Sequence, residues 1–337
     1  MVKDSSFSGV QMDRITSYTA ASGELPIKVL LSGDLMKAVV ADHIVIPVHV
    51  QLNPTNRCNL KCSWCSCSNV NRSLSLSAKE IVAAMYSYES LGCKAVTITG
   101  GGEPLLHDDI DNIIKAIYNM GISIGLVTNG WNVYRLSKSA WNKVDWVRIS
   151  LGDDRTKEFE SDEYWYELEK TAQITRGLSF SYVLTDKPDY DLLLKVVNKA
   201  NEFRATHVRL TTDIVKRHVG TLQKIQQFLH NNADDSLVIY QNREVWTRGQ
   251  KDCWISLLKP VVGADGGIYP CCGAQYADKT PSRDLSHHMR MGWLMDIINI
   301  TNEQLLFDGS RCEVCYYSSY NRLLSKLLAG AKHAEFV

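Results

Sequence analysis

Short apolar runs alternate with segments of helical period along most of this chain. Apolar residues at every second position are typical of strands, and apolar residues three and four positions apart are typical of helices. Six strands are predicted: Val48 to Leu52, Ala95 to Thr99, Ile122 to Thr128, Trp146 to Leu151, Phe180 to Thr185 and His207 to Thr211. Six helices are predicted near Ala78 to Leu91, Asp109 to Asn119, Val133 to Trp141, Lys157 to Arg176, Asp191 to Phe203 and Val219 to Asn231.

This alternation predicts an α/β fold with a parallel sheet, because each crossover between parallel strands needs a helix to carry the chain back. Six units are fewer than a closed eight-fold barrel requires. The sequence therefore predicts a partial (β/α)6 TIM-like barrel over residues 46–234, preceded by an N-terminal leader or helical extension over residues 1–45.

The pattern changes beyond about residue 235. "LLKPVVGADGGIYPCC" predicts two short strands joined at Asp265-Gly266-Gly267, since glycine readily adopts the positive φ of a tight hairpin. A linker near residues 275–290 and a helix from about Tyr320 to Leu328 follow. Residues 235–337 are therefore predicted to form a small C-terminal domain.

The composition narrows the choice of partners and compartment. The 337 residues are 45% apolar, enough for a substantial core, and 37 basic residues balance 37 acidic ones. Balanced charge does not concentrate a protein on phosphate backbones or anionic lipid, so no nucleic-acid polymer is expected as a partner. The start "MVKDSSFSGVQMDR" lacks the apolar stretch of a signal peptide, and no later run approaches the ~20 apolar residues of a membrane span. We expect a cytoplasmic protein that does not enter a membrane.

Ten cysteines in such a chain indicate metal sites rather than disulfides, because the cytosol is reducing and a chain of this length folds without covalent links. Nine of the ten fall in two groups, residues 58–67 and residues 253–315. The grouping predicts two separate sites.

The first group contains "CNLKCSWC", in which Cys58, Cys62 and Cys65 follow a C-x3-C-x2-C spacing. A 4Fe-4S cube normally takes one cysteine thiolate per iron, so three ligands leave one iron open to a chelating molecule. The alternative is a closed zinc or cluster site in which Cys67 is the fourth ligand.

The distinctive motifs follow the carboxyl ends of the predicted strands, where the sites of parallel β/α folds lie. The cysteine loop follows the first strand, "GGGEPLLH" (residues 100–107) the second, "TNG" the third and "SLGDD" the fourth. With Trp64 before the third cysteine, these motifs and their order resemble the radical S-adenosylmethionine (radical SAM) superfamily. The resemblance covers about residues 25–330.

By that resemblance, Cys58, Cys62 and Cys65 hold a 4Fe-4S cluster, and the amine and carboxylate of SAM chelate its open iron. One electron, supplied by a reductant such as flavodoxin or ferredoxin, then cleaves the sulfonium to a 5'-deoxyadenosyl radical. The residues that the resemblance assigns to cofactor binding are Trp64, Gly100, Gly101, Gly102, Glu103, Thr128, Asn129, Ser150 and Asp153. Each has a structural alternative: a core tryptophan, a strand-to-helix turn, an Asx turn or a loop cap.

In the second group, Cys253, Cys271, Cys312 and Cys315 supply four thiolates, enough to close a site, and zinc fits such a set in general. The spacing and "ADGGIYPCC" resemble the twitch domain, a smaller relative of the SPASM domain. That resemblance implies an auxiliary 4Fe-4S cluster, with Cys272 as the alternative to Cys271. No cysteine follows Cys315, so one auxiliary cluster is predicted.

The resemblance implies an enzyme of oxidoreductase or lyase type. It would abstract hydrogen from a polar small molecule such as a sugar or nucleoside derivative, with the auxiliary cluster assisting electron transfer. The alternatives are a peptide maturase, a modified-nucleoside salvage lyase and, from a different class, a non-catalytic iron-sulfur or zinc protein that binds a partner.

The acid or base on the substrate side is not identified by the sequence. Candidates that also fit structural roles are His107, His218, His287, His288, Asp213 and Tyr269. Arg209, on the sixth strand, points either into the site or into a helix interface.

Overall fold

The computed structural model describes residues 26–214, 220–241, 243, 246–275 and 287–332. Its strands are β1 (His49–Leu52), β2 (Ala95–Ile98), β3 (Ser123–Thr128), β4 (Trp146–Gly152), β5 (Leu178–Leu184), β6 (Val208–Thr212), β7 (Val238–Gln241), β8 (Asp252–Cys253), β9 (Val261–Val262), β10 (Gly267–Tyr269), β11 (Gly292–Trp293) and β12 (Phe307–Asp308). Its α-helices are α1 (Ile27–Leu30), α2 (Gly33–Lys37), α3 (Ala78–Ser90), α4 (Ile110–Asn119), α5 (Lys138–Trp141), α6 (Thr156–Glu160), α7 (Asp162–Ile174), α8 (Tyr190–Glu202), α9 (Thr221–Asn232), α10 (Ile255–Leu258), α11 (Ile297–Asn302) and α12 (Ser318–Ala329). None of the helices in the described parts of the chain has both the length and the apolar content needed to cross a membrane.

Ten strands form one sheet in the order β11-β10-β9-β1-β2-β3-β4-β5-β6-β7. Strands β1 to β7 are neighbours in chain order, and every one of these pairings is parallel. This confirms the predicted α/β fold with a parallel sheet. Among the described residues the sheet has two edges, β11 and β7, and does not close into a barrel.

The six predicted strands are confirmed, with ends that differ by one or two residues. Strand β7 was missed, because its four residues follow a polar loop and give little alternation to detect. Two predicted helices are each divided in the structure. In both cases a serine side chain caps a new helix: Ser137 accepts from the Ala140 N–H, and Ser161 accepts from the Tyr164 N–H.

The predicted hairpin is confirmed. Strands β9 and β10 pair antiparallel, and Gly266 has φ of 82° in the turn. Strand β9 also pairs in parallel with β1, so the hairpin extends the main sheet. Residues 1–25 of the predicted leader and most of the predicted linker near residues 275–290 lie outside the described residues. The domain boundaries stay a prediction.

The two faces of the parallel sheet differ sharply in polarity. Residues on the outer face, such as Val147, Ile149 and Leu151 of β4, are fully buried against the helices. Alternate residues point to the opposite, inner face, because side chains in a strand alternate. Strand register places these polar residues on the inner face: His49, Gln51, Thr97, Arg148, Ser179, Ser181, Arg209, Thr211 and Gln241.

Candidate functional site

Three of the four cysteines after β1 are partly exposed on one loop at the carboxyl edge of the sheet. Cys58, Cys62 and Cys65 are half-buried free thiols. Cys67 differs from them: it is 7% exposed, packs in the core, and its thiol donates to the Gly100 carbonyl at 3.6 Å. The structure thus separates three thiols of the first group from the fourth.

Burial keeps these thiols protonated unless a cation lies nearby. Burial raises the pKa of Cys58 and raises the pKa of Cys62 to about 11. Two cations oppose this effect, since Arg72 lowers the pKa of Cys58 and Arg155 lowers that of Cys62. Metal ligands must be deprotonated, so a thiol set in cationic surroundings fits an iron-sulfur cluster chemically.

The glycine-rich turn after β2 packs directly on the chain that leads into the cysteine loop. A Cβ on Gly101 would lie 2.0 Å from Asn56 Oδ1, and a Cβ on Gly102 would lie 2.2 Å from the Arg57 carbonyl oxygen. Arg72 adds a link, donating from Nη1 to the Gly101 carbonyl at 3.1 Å and from Nη2 to Cys65 Sγ at 3.9 Å. The glycines thereby hold the motif against the cysteine loop.

Glu103 joins the ends of β2 and β3. Its side chain is 2% exposed and accepts from the Thr128 hydroxyl at 2.6 Å, the Asn129 N–H at 2.7 Å and the Leu105 N–H at 3.0 Å. Burial raises the pKa of Glu103, and these hydrogen bonds oppose the rise. A carboxylate has about four acceptor positions, so one is left for a ligand.

Asn129 forms the Asx turn that the sequence left as an alternative, and it also reaches the cysteine loop. Its Oδ1 accepts from the Trp131 N–H at 3.0 Å, and its Nδ2 donates to Asn59 Oδ1 at 2.7 Å. Asn59 lies between the first two cysteines. Asn129 therefore links the end of β3 to the cysteine loop.

Arg155 ties β3 to β4 and was not singled out by sequence reasoning. It is 3% exposed, pairs with Glu158 at 2.6 Å, and donates to the carbonyls of Ser150 at 2.9 Å and Asn129 at 3.0 Å. The carbonyl of Asn129 also accepts from the Tyr164 hydroxyl at 2.9 Å. One buried cation thus donates hydrogen bonds to carbonyl groups at the ends of both β3 and β4, close to the cysteine loop.

The two aspartates after β4 have different partners. Asp153 accepts from the Tyr182 hydroxyl at 2.7 Å and the Thr185 N–H at 2.6 Å, which is the loop cap considered as its alternative role. Asp154 accepts from the Ser63 N–H at 2.5 Å and from the Trp64 indole at 2.7 Å. Asp154, which sequence reasoning did not single out, anchors the cysteine loop.

Trp64 lies over the end of β4 rather than in the core. It is half-buried, and a Cβ on Gly152 would lie 2.4 Å from its Nε1. Gly152 is therefore the residue that lets the indole sit on the strand end. Cofactor contacts of Trp64, Ser150 and the other assigned residues stay predictions.

The second cysteine group surrounds a cavity with about 420 Å³ of empty space, part of it open to solvent. Four cysteines line it: Cys253, Cys271, Cys312 and Cys315. Burial and then the neighbouring thiols raise the pKa of Cys253 to about 12, and they raise that of Cys271 well above its usual range. Thiolates gathered around one cavity repel one another, and an iron-sulfur cluster would supply the positive charge that they need.

Among the described residues, no three His, Cys, Asp or Glu side chains converge closely enough to ligate a single metal ion. A 4Fe-4S cube gives each thiolate its own iron.

Cys272 is not among the residues that line the four-cysteine cavity. Its sulfur lies 3.1 Å from the Tyr317 hydroxyl, and it interacts electrostatically with Arg148 and Arg209 on the inner face of the sheet. It is also an electrostatic neighbour of Cys67. Cys271 lines the cavity and Cys272 does not, and the choice of Cys271 as the ligand stays a prediction.

Most of the candidate acids and bases have structural partners or lie outside the described side chains. His107 Nε2 lies 2.7 Å from the Leu76 carbonyl, and the Tyr269 hydroxyl donates to Asp265 at 2.5 Å across the hairpin. His288 is exposed and Asp213 is buried at the end of β6. His218 and the side chain of His287 lie outside what the structure describes.

A comparison with known families matches the part of the chain that holds the first site. Residues 52–184, which contain the three-cysteine loop and the motifs after β2, β3 and β4, match the family model of the Radical SAM superfamily. Over these residues the chain is similar to that superfamily.

Curated relatives match the chain over part of their length. A GTP 3',8-cyclase of Clostridium perfringens is 28% identical over 168 residues, which cover 46% of this chain and 52% of that protein. A GTP 3',8-cyclase of Lactiplantibacillus plantarum is 33% identical over 143 residues, covering 40% of this chain and 39% of that protein. The chain thus spans about half the length of these relatives, or less.

A solved structure extends the likeness of the fold beyond the radical SAM domain. The crystal structure of Streptococcus suis SuiB bound to S-adenosylmethionine has a TM-score of 0.60 at 18% identity, and covers 94% of this chain and 83% of that one. The structure of SuiB bound to precursor peptide SuiA has a TM-score of 0.58 at 16% identity, with 89% and 78% covered. At this identity the likeness concerns the fold alone.

Proposed function

We propose that this chain is a radical SAM enzyme. It would cleave S-adenosylmethionine reductively at a 4Fe-4S cluster held by Cys58, Cys62 and Cys65, and abstract hydrogen from a polar small molecule such as a sugar or nucleoside derivative. The observation that carries the proposal is the convergence of three part-exposed thiols with the Gly101–Glu103 turn at one edge of the sheet. When bound, the cluster supplies the electron that splits the sulfonium into methionine and a 5'-deoxyadenosyl radical.

The chain's own residues would hold and orient the cofactor. Arg72 and Arg155 supply positive charge that favours the thiolate forms of the loop cysteines. The one unused acceptor position of Glu103 is available to an ammonium group, and its three protein donors fix the carboxylate in place. Trp64, held by Asp154, covers the end of β4 and limits the entry of water.

The proposal includes a second, auxiliary 4Fe-4S cluster. Cys253, Cys271, Cys312 and Cys315 line one cavity, and this supports a site fully ligated by protein. Such a site leaves no iron open, so electron transfer is its expected role. A cytoplasmic location, with flavodoxin or ferredoxin as reductant, completes the proposal.

The test is SAM cleavage by protein purified and reconstituted without oxygen. With dithionite and SAM, we expect the parent to form 5'-deoxyadenosine and the triple variant C58A/C62A/C65A to form none. Cys93→Ala is the matched control, because Cys93 is a buried core thiol that donates to the Ala95 carbonyl and lies outside both cysteine sites. A triple variant that still cleaved SAM, or a parent that formed no 5'-deoxyadenosine, would contradict the proposal.

The auxiliary site has its own readout. Roughly eight irons in the parent, falling to about four in the triple variant, would agree with two cubes. About four irons in the parent, with zinc retained, would remove the auxiliary cluster from the proposal.

A further inference from the structure

Two arginines face the interior of the open barrel from alternate strands. Arg148 of β4 aligns with Ser179 of β5, and Ser181, the next inner-face residue of β5, aligns with Arg209 of β6. Arg209 donates from Nε and Nη2 to Ser181 Oγ at 3.2 and 2.7 Å. Both guanidinium groups therefore point to the inner face, which resolves the orientation of Arg209 that the sequence left open.

Two further cations complete the lining. Arg243 lies two residues beyond the end of β7 and donates to Gln241 Oε1 at 3.4 Å. It interacts electrostatically with both Arg148 and Arg209. The ammonium of Lys259 also interacts with Arg148. Four cationic side chains thus share one interior.

These cations have no carboxylate partners among the described residues. None of the ion pairs there involves Arg148, Arg209, Arg243 or Lys259. The Nε atoms of Arg148 and Arg243 are buried without an acceptor.

Burying like charges together without a counter-ion is unfavourable. Burial and then neighbouring arginines lower the pKa of Arg148 to about 10 and that of Arg209 well below its usual range. An anion between the guanidinium groups would reverse this penalty, because guanidinium forks match the oxygen atoms of phosphate and carboxylate groups.

The auxiliary cluster is the other negative group that such cations could serve. Arg148 and Arg209 both interact electrostatically with the thiol of Cys272, which does not line the four-cysteine cavity. Cys272 also interacts electrostatically with Cys67 of the first cysteine group. Tyr317, which lines the cavity, interacts with both arginines as well. The inner-face cations therefore lie near residues of both cysteine sites, where a substrate would sit.

We propose that the inner face binds a phosphorylated substrate, with Arg148, Arg209 and Arg243 contacting its phosphate oxygens. This inference rests on the proposed function, because it assumes that the chain is an enzyme with a substrate. It narrows that substrate from a polar small molecule to a phosphate ester. A phosphate is favoured over a single carboxylate because one carboxylate offsets one positive charge, and the interior holds four.

The test measures anion binding directly, separately from catalysis. Pyrophosphate is titrated into the reconstituted holoenzyme by calorimetry at low and high salt, with malonate as the dicarboxylate comparison. We expect pyrophosphate to bind the parent, and Arg148→Gln and Arg209→Gln each to weaken binding about tenfold or more. Arg209→Lys should fall between, since it keeps the charge and loses the fork. Arg204→Gln is the control, because Arg204 is exposed before β6.

Several results would overturn the inference. These are no pyrophosphate binding by the parent, equal binding by the glutamine variants and the parent, or binding of malonate as tight as that of pyrophosphate. A changed midpoint potential of the auxiliary cluster in Arg148→Gln, with pyrophosphate binding intact, would assign the arginines to that cluster. SAM cleavage without pyrophosphate binding would sink this inference alone, whereas pyrophosphate binding without SAM cleavage would sink the proposed function and leave an anion site.

Discussion

Replacing Arg155 by methionine should destabilise the protein far more than losing an ordinary ion pair. Arg155 and Glu158 are each 3% exposed and lie 2.6 Å apart, so Arg155→Met leaves a buried, uncompensated carboxylate. Breaking such a pair from one side costs about 3–5 kcal/mol. The carbonyls of Ser150 and Asn129 also lose a donor, which adds to the penalty.

The double variant R155M/E158M separates the charge from the packing. Removing both charges leaves the Trp131 indole, which donates to Glu158 at 2.9 Å, as one unpaired donor more than in Arg155→Met. That loss costs about 1–3 kcal/mol, so the double variant should be more stable than Arg155→Met alone.

Guanidinium unfolding of the reduced, metal-free protein, followed by circular dichroism, gives the comparison. Arg176→Met is the control, because the Arg176–Asp145 pair at 3.0 Å is largely exposed and such pairs contribute about 0–1 kcal/mol. A deficit for Arg155→Met no larger than that of this control would refute the reasoning.

Three further predictions concern the cysteine sites. Gly152→Ala should lower the free energy of unfolding by about 1–3 kcal/mol, because its Cβ would lie 2.4 Å from Trp64 Nε1. An unchanged free energy of unfolding would show that the indole moves aside freely. Cys67→Ala should keep the iron content of the parent, measured after reconstitution, since this thiol faces the core; loss of about four irons would make it a ligand. Cys271→Ala should lose about four irons and Cys272→Ala none, because only the former lines the cavity; the opposite result would exchange their roles.

The sequence predicted the fold well because long amphipathic helices and apolar strands carry periodic signals. All six predicted strands are present, and their order predicts which loops meet at one edge. Strand β7 escaped because it follows a polar loop and its residues show little alternation of apolar and polar side chains. The two divided helices escaped because a capping serine inside a helical pattern does not interrupt its hydrophobic period.

The site was predictable where it rests on motif spacing and hidden where it rests on contacts distant in sequence. Cys58, Cys62 and Cys65 stand out by spacing. Arg155 carries no motif, and its role depends on carbonyls and a carboxylate brought together by the fold. Arg148 looks like any polar residue in an alternating strand until register shows which arginines share its face.

The open iron is the central claim, and one spectrum tests it most directly. The variant C253A/C271A/C312A/C315A, reconstituted and reduced without oxygen, would carry iron only in the three-cysteine loop. Its electron paramagnetic resonance spectrum is recorded before and after SAM is added. We predict a reduced 4Fe-4S signal that changes on addition of SAM, because the molecule binds the iron that lacks a cysteine. A signal that SAM leaves unchanged would mean a closed cluster and would contradict the account.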